Sequence, residues 1–164
     1  MNSENNNNHK SGGSNYGRFF LMLGLSFIAM YITMYMNTYE FDHVYFSLTR
    51  FYMTCLGIAA MAVIMLSLML KMYKSKKKNI AIYIGSLVLF VSALGLVRAQ
   101  RPIIGDVLYM KAMIPHHSIA ILTSKRADLQ DPETKKLAEE IIEAQKREIA
   151  QMKKIIYRLE NENK

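Results

Sequence analysis

Residues 51–70 read FYMTCLGIAAMAVIMLSLML, a run of 20 residues without a charged side chain. An α-helix needs about 20 consecutive apolar residues to cross the hydrocarbon core of a bilayer. Two further uncharged runs lie on either side of this one, at residues 19–36 and 80–97. The sequence therefore predicts an all-α protein with a three-span transmembrane region in residues 18–98. No small-residue cleavage site follows the first run, so we expect it to be retained as an anchor.

The segment before the first run has a different composition. Residues 1–17 are rich in Asn, Ser and Gly. A segment of this kind cannot bury an apolar core, and we expect a disordered N-terminal tail. The single cysteine, Cys55, excludes an intramolecular disulfide framework and a cysteine-based zinc site.

The excess of basic residues, a formal net charge of +8, is concentrated beside the apolar runs. Residues 71–79 contain five Lys and no acid, whereas residues 37–50 contain one Arg with Glu40 and Asp42. Lys-rich short loops stay in the cytoplasm, so we expect a cytoplasmic N-terminus and residues 98–164 outside the cytoplasm. Residues 103–164 carry 11 basic against 10 acidic side chains, which argues against a nucleic-acid partner.

The connection between the first two spans is rich in aromatic residues, which are typical anchors at a membrane surface. The aromatic side chains in and beside it are Tyr35, Tyr39, Phe41, Tyr45, Phe46, Phe51 and Tyr52. We expect these side chains to lie at the interface between lipid and water.

After Pro102 the pattern changes to that of an amphipathic helix. Apolar residues and one His recur three and four positions apart, at 103, 107, 110, 114, 117 and 121. Asp131-Pro132-Glu133 then has the features of an N-cap, a first-turn proline and a first-turn acid. The inner side of the second helix is expected to carry Leu137, Ile141, Ile142, Ile149, Met152, Ile156 and Leu159.

Residues 103–160 are thus predicted to form an antiparallel helical hairpin, which is half of a four-helix bundle. Two helices alone bury little surface. We therefore expect a homodimer or higher homo-oligomer, in which a second copy completes the bundle.

The inner faces of this hairpin carry donor groups where a plain bundle would have Leu. Four side chains of the first helix fall within an arc of about 60°, with His116 at its border: Asp106, Met110, Met113 and His117. The second helix presents Gln145, Glu148 and Met152 on its own inner stripe. Thioethers with imidazole suit Cu(I), whereas imidazole alone also accepts Cu(II) or Zn. Pro115 is expected to bend the first helix just before the histidines.

A reading without metal also fits these residues. Methionine at helical spacing is a common core filler, and the chain contains 13. Gln145 and Glu148 can hydrogen-bond His117 across the bundle in the absence of any metal. No nucleophile or second carboxylate completes an acid–base site, so we expect the protein not to be an enzyme.

The same stretch resembles the bacterial family of domains of unknown function numbered 305. The matching residues are Asp106, Tyr109, the run Met113-Ile114-Pro115-His116-His117, Ala120, Gln145, Glu148, Ile149 and Met152. The family is grouped with ferritin-like helical bundles and includes periplasmic copper-binding proteins. The resemblance implies copper, with Cu(I) favoured, bound by Met110, Met113, His116, His117 and Met152. It implies that Asp106, Gln145 and Glu148 surround and support those ligands without binding the metal themselves.

One position departs from the family pattern, because Thr123 stands where members often have a second Met after the His pair. The expected function is capture, buffering or hand-over of Cu(I) outside the cytoplasm, by a protein anchored in a bacterial inner membrane. Expected partners are the membrane itself, copper exporters and periplasmic copper proteins.

Two other functions are compatible with the sequence. The first is an oligomerisation or regulatory membrane module without metal. The second is a copper-conducting transporter, because Met61, Met65 and Met69 repeat every four residues on the second span.

Overall fold

The computed structural model describes residues 11–99 and 103–162, with side chains described from residue 15 onward. This part of the chain is all-α and contains no strand, which confirms the predicted fold class. The helices are α1 (Ser11–Thr33), α2 (Leu48–Leu68), α3 (Lys76–Ala99), α4 (Asp106–Arg126) and α5 (Pro132–Glu162). A short 3₁₀ turn, Phe41–His43, lies between α1 and α2.

Three helices are long and apolar enough to cross a membrane, judged by length and composition. Their candidate spans are Asn15–Thr33, Leu48–Leu68 and Lys76–Ala99. These correspond to the three uncharged runs of the sequence. The described residues form two compact units, one of residues up to 31 with 51–99, the other of residues 32–50 with 103–162.

Helix α1 begins at Ser11, inside the stretch for which the sequence predicts a disordered tail. Tyr16 supplies a physical reason for the difference. Its hydroxyl donates to Asn79 Oδ1 at 2.6 Å and accepts from the Ser75 backbone N–H at 3.2 Å. These bonds join α1 to the start of α3, which no local sequence pattern reveals. The rest of the predicted tail, residues 1–10, lies outside the described residues.

The core of the first unit is formed by α1, α2 and the segment that follows α2. Its buried side chains are Tyr16, Phe19, Leu23, Ile58, Ala62, Leu66 and Tyr73. Met61, Met65 and Met69 are partly buried and pack against this cluster. Gly57 allows a close approach of α1, because a Cβ there would lie 2.9 Å from the Met30 sulfur.

The second unit contains the predicted helical hairpin of α4 and α5. The helices are antiparallel, since Lys111 pairs with Glu160 at 2.6 Å while His117 pairs with Glu148 at 2.7 Å. Its buried cluster consists of Met110, Ile114, Ile121, Ile149 and Ile156.

Two residues that were predicted to lie on the inner faces of the hairpin are exposed in the structure. Ile103 precedes α4 and is 47% exposed, and Leu137 is 56% exposed. The space beside the cluster is filled instead by Tyr39 and Tyr45 from the connection between α1 and α2.

The ends of the hairpin helices have clear local causes. Asp131 Oδ2 accepts the backbone N–H of Thr134 at 2.7 Å, which confirms the predicted N-cap of α5. This bond, followed by one from the Thr134 hydroxyl, lowers the pKa of Asp131. Helix α4 continues through Pro115, which is buried in its interior.

Candidate metal centre

A cleft of about 510 Å³ lies between α4 and α5. Its lining from α4 is Asp106, Tyr109, Met110, Met113 and His117, and its lining from α5 is Glu148, Gln151, Met152, Ile155, Arg158 and Leu159. The α4 residues follow the three- and four-residue spacing of one helix face, as do the α5 residues. Because the helices are antiparallel, the two faces meet along the cleft.

The soft donors of the hairpin converge in this cleft. Met110, Met113 and Met152 bring three thioethers, and His117 brings one imidazole. Met110 is buried in the hairpin core, whereas Met113 and Met152 are half-buried. The cleft therefore combines one buried methionine with two that are partly exposed.

Each ring nitrogen of His117 has one polar neighbour. Nδ1 donates to the Met113 backbone carbonyl at 2.9 Å, within the same helix. Nε2 lies 2.7 Å from Glu148 Oε2, across the cleft. A backbone carbonyl only accepts, so Nδ1 carries a proton. The Nε2 contact with the carboxylate is a hydrogen bond only when Nε2 is protonated as well, whereas in the neutral ring Nε2 has the lone pair. Nε2 is therefore the nitrogen of His117 that can coordinate a metal.

Charged groups surround the mouth of the cleft. Asp106 is exposed in the first turn of α4, and the Glu148 side chain is 52% exposed. Arg158 also lines the cleft, and its guanidinium lies 3.6 Å from Glu162 in the next turn of α5. The mouth thus carries two carboxylates and one cation that is paired with a third carboxylate.

Two of the residues predicted for the site do not line the cleft. His116 is exposed, and its ring centroid lies 6.1 Å from that of His117. Successive helical residues point about 100° apart, so both rings cannot enter one cleft. Gln145 is half-buried one turn away from Glu148 and is not part of the lining.

The donor set restricts the kind of metal that the cleft can hold. Within the described ranges, no three His, Cys, Asp or Glu side chains are grouped closely enough to bind a metal ion. The cleft does bring three thioethers together, and soft cations prefer thioether sulfur.

A second polar cluster of this unit was not predicted from the sequence. The Ser118 hydroxyl is fully buried, accepts the Tyr39 backbone N–H at 2.7 Å and lies 2.9 Å from His43 Nδ1. His43 is itself buried, and its pKa lies below its usual value because of that burial and the nearby Lys153 cation. Nε2 of His43 is 3.6 Å from Glu40. The only available signal was a polar Ser on an otherwise apolar face of α4.

This cluster changes the role of the aromatic connection between α1 and α2. Tyr39 and Tyr45 pack against the hairpin core, so these two are not free interface anchors as the sequence suggested. Phe41, by contrast, is 97% exposed. Two side-chain hydrogen bonds add to the packing, since Lys153 donates to Asp42 and Lys125 donates to the Tyr39 hydroxyl.

Comparison with known proteins places this unit in a family. Residues 97–162 match the Domain of unknown function (DUF305). The chain is also 34% identical over 153 residues to the Uncharacterized protein L153 of Acanthamoeba polyphaga mimivirus. That alignment covers 92% of this chain and 98% of the viral protein, so it includes the apolar helices as well as the hairpin. No solved structure matches the chain.

Proposed function

This chain belongs to the family of the mimivirus protein L153 and has a DUF305 domain in residues 97–162. We propose that it is a membrane-anchored protein whose hairpin binds Cu(I). The metal is cargo, taken up for capture, buffering or hand-over, and no catalytic step is involved. The observation that carries the proposal is the convergence of Met110, Met113, Met152 and His117 in one cleft.

The chemistry of these four side chains matches Cu(I) better than harder cations. Thioethers are neutral, soft donors, and imidazole is a borderline donor. Mg²⁺ and Ca²⁺ require oxygen ligands, of which the cleft offers only the exposed carboxylates of Asp106 and Glu148. A structural zinc site uses four Cys or His ligands, and the cleft offers one.

The residues at the mouth of the cleft allow a cation to reach the donor atoms. The carboxylates of Asp106 and Glu148 at the mouth attract a positive ion. Glu148 is half exposed, so its side chain can turn away and leave His117 Nε2 to the metal. Nδ1 keeps its bond to the Met113 carbonyl, which holds the ring in a coordinating orientation.

The composition of the second unit supports an extracytoplasmic hairpin. Residues 32–50 precede α2, residues 103–162 follow α3, and both belong to the same compact unit. If α2 and α3 each cross the membrane once, these two segments lie on the same side. The five Lys of residues 71–79 favour the cytoplasm for the opposite side.

A relative that aligns over 98% of its own length is encoded by a virus. The proposal therefore places the chain in a cell membrane and does not restrict it to bacteria. Proposed partners are a second copy of the chain and a copper-exporting or copper-accepting protein. Tyr109 and Leu137 of the hairpin are more than half exposed, which leaves apolar surface for the second copy.

The test is a Cu(I) affinity measurement on the purified full-length chain in detergent, by competition with a chromogenic Cu(I) chelator. We expect His117→Ala to weaken binding by roughly 100-fold or more, since loss of a ligand exceeds the cost of losing a supporting residue. His116→Ala is the matched control, and its affinity should stay within about twofold of wild type, an effect below 0.5 kcal/mol. Equal losses in both variants, or no Cu(I) binding by the wild type, would overturn the proposal.

One observation favours the module without metal, namely the 2.7 Å contact between His117 Nε2 and Glu148. In that function the contact is a permanent structural bond. Glu148 is half exposed and can be hydrated when its partner is removed, so His117→Ala should then destabilise the metal-free protein by about 0.5–1.5 kcal/mol, the net contribution of a typical hydrogen bond. If His117→Ala lowers the stability of the metal-free protein but leaves the Cu(I) affinity of the folded variant unchanged, the function is that of a membrane module without metal and not of a copper-binding protein.

A further inference from the structure

A second cavity, of about 470 Å³, lies within the first unit among α1, α2 and α3. One wall is a stripe of α3 that runs along a single face: Lys78, Ala81, Ile82, Gly85, Ser86 and Leu89. The other walls are apolar side chains of α1 and α2, including the buried Leu23 and Ala59. We call this cavity the α3 groove.

The length of the α3 groove matches one leaflet of a bilayer. From Lys78 to Leu89 the helix rises about 17 Å at 1.5 Å per residue. Half of a hydrocarbon core about 30 Å thick is about 15 Å. The groove therefore extends from the Lys-rich end of α3 to the depth at which a lipid chain of that leaflet ends.

The groove is apolar along its length and cationic at one end. Lys78 Nζ lies 5.0 Å from the centroid of the Tyr16 ring. That ring is fixed by the bonds of its hydroxyl to Asn79 and Ser75. None of the ion pairs formed within residues 11–99 and 103–162 involves Lys78. Its ammonium is thus available to an external anion, and no acid occurs between residues 71 and 105.

The geometry points to an anionic glycerophospholipid as the occupant, with one acyl chain in the α3 groove and its phosphate against Lys78. Basic pockets at the cytoplasmic ends of transmembrane helices suit such headgroups. The inference rests on the first unit spanning a membrane and is independent of copper binding.

A helix from a second copy is a poorer fit to the same groove. Copies in one membrane share one orientation, so a second copy would bring its own five Lys of residues 71–79 to the level of Lys78. Like charges at that level repel, whereas a phosphate neutralises them. The charge pattern therefore favours lipid.

The headgroup is tested by native mass spectrometry of the full-length chain in detergent, with phosphatidylglycerol and phosphatidylcholine of identical chains. We expect one phosphatidylglycerol to be retained in preference to phosphatidylcholine. Lys78→Gln should reduce that preference about fivefold, the effect of one Lys near a membrane phosphate. Lys77→Gln, an equal charge change one residue away and outside the groove lining, should keep it.

The acyl chain is tested by filling the groove. A Cβ at Gly85 or at Gly95 would meet no atom within 4 Å, so both positions have room for the start of a side chain. Only Gly85 lines the groove. Gly85→Leu should lower phosphatidylglycerol retention, and Gly95→Leu should not. Glycerol 3-phosphate, a headgroup without acyl chains, should fail to displace the lipid.

Three results would overturn the inference. One is equal retention of the two lipids with no effect of Lys78→Gln. Another is displacement by glycerol 3-phosphate, which would indicate a simple anion site. The last is a change of oligomeric state with Gly85→Leu at constant lipid retention, which would assign the groove to a second copy.

Discussion

His43 Nδ1 lies 2.9 Å from the Ser118 hydroxyl, although 75 residues separate them along the chain. This bond fastens the connection between α1 and α2 to the buried face of α4. The neighbouring residue, His117, points into the cleft between α4 and α5. One turn of α4 therefore serves two purposes, because Ser118 holds the connection and His117 presents a ring nitrogen to the candidate site.

The first prediction concerns Ser118. Ser118→Ala leaves the Tyr39 N–H and His43 Nδ1 without their shared partner. Each unpaired buried group costs about 1–3 kcal/mol, so local opening of residues 37–46 should become about tenfold or more frequent. Hydrogen exchange of that segment in the full-length chain measures this. Ser124→Ala on the same helix is the control, and equal acceleration in both variants would contradict the assigned role of Ser118.

The second prediction is a pH dependence of the same segment. Burial, then the Lys153 cation, hold the pKa of His43 below its ordinary 6.5, while Glu40 and Asp42 oppose them weakly. The folded state thus binds this proton less tightly than the unfolded chain does. The stabilisation from neutral His43 is complete above pH 6.5 and is lost as the pH falls below that value through the lower folded pKa.

Hydrogen exchange of residues 37–46, corrected for intrinsic rates, should therefore show more opening at about pH 5 than at about pH 7.5. His43→Asn keeps an acceptor oxygen for Ser118 at the position of Nδ1 and removes the titration. In that variant the difference between the two pH values should shrink. An unchanged difference would mean that another group controls the opening.

The third prediction concerns topology. A reporter that is active only outside the cytoplasm should work when fused after Lys164 and fail when fused at Ser75. The reason is the concentration of five Lys in residues 71–79. The reverse pattern of reporter activity would place the hairpin in the cytoplasm and remove the argument for extracytoplasmic copper.

The fourth prediction concerns assembly. Leu137 belongs to the apolar stripe of α5 but is 56% exposed, which suits a contact with a second copy. The full-length chain in detergent should therefore be a dimer or larger by light scattering. Leu137→Glu should weaken the association, whereas Lys136→Glu at the exposed neighbouring position should not. A folded monomer at micromolar concentration would contradict this prediction.

Most of the helices follow from local patterns in the sequence. The uncharged runs predict α1, α2 and α3 because a bilayer sets the length of an apolar helix. The 3.6-residue period predicts that Met110, Met113 and His117 share one face of α4. The same period places Glu148 and Met152 together on α5.

The contacts that the sequence did not predict are those between distant segments. The bond of Tyr16 to Asn79 joins the first part of α1 to α3, and that of His43 to Ser118 joins the connection between α1 and α2 to α4. Neither pair leaves a periodic signal, because each residue stands alone in its segment. The position of His116 outside the cleft could have been predicted from the sequence, because the side chains of adjacent helical residues point about 100° apart.

X-ray absorption spectroscopy of the Cu(I)-loaded full-length chain tests the central claim most directly. We predict a mixed first shell of sulfur and nitrogen around copper, because Met110, Met113 and Met152 share the cleft with His117. The sulfur contribution should fall in Met113→Leu and Met152→Leu, and the nitrogen contribution should fall in His117→Ala but not in His116→Ala. A shell of nitrogen and oxygen alone, unchanged by the Met substitutions, would contradict a thioether copper site in this cleft.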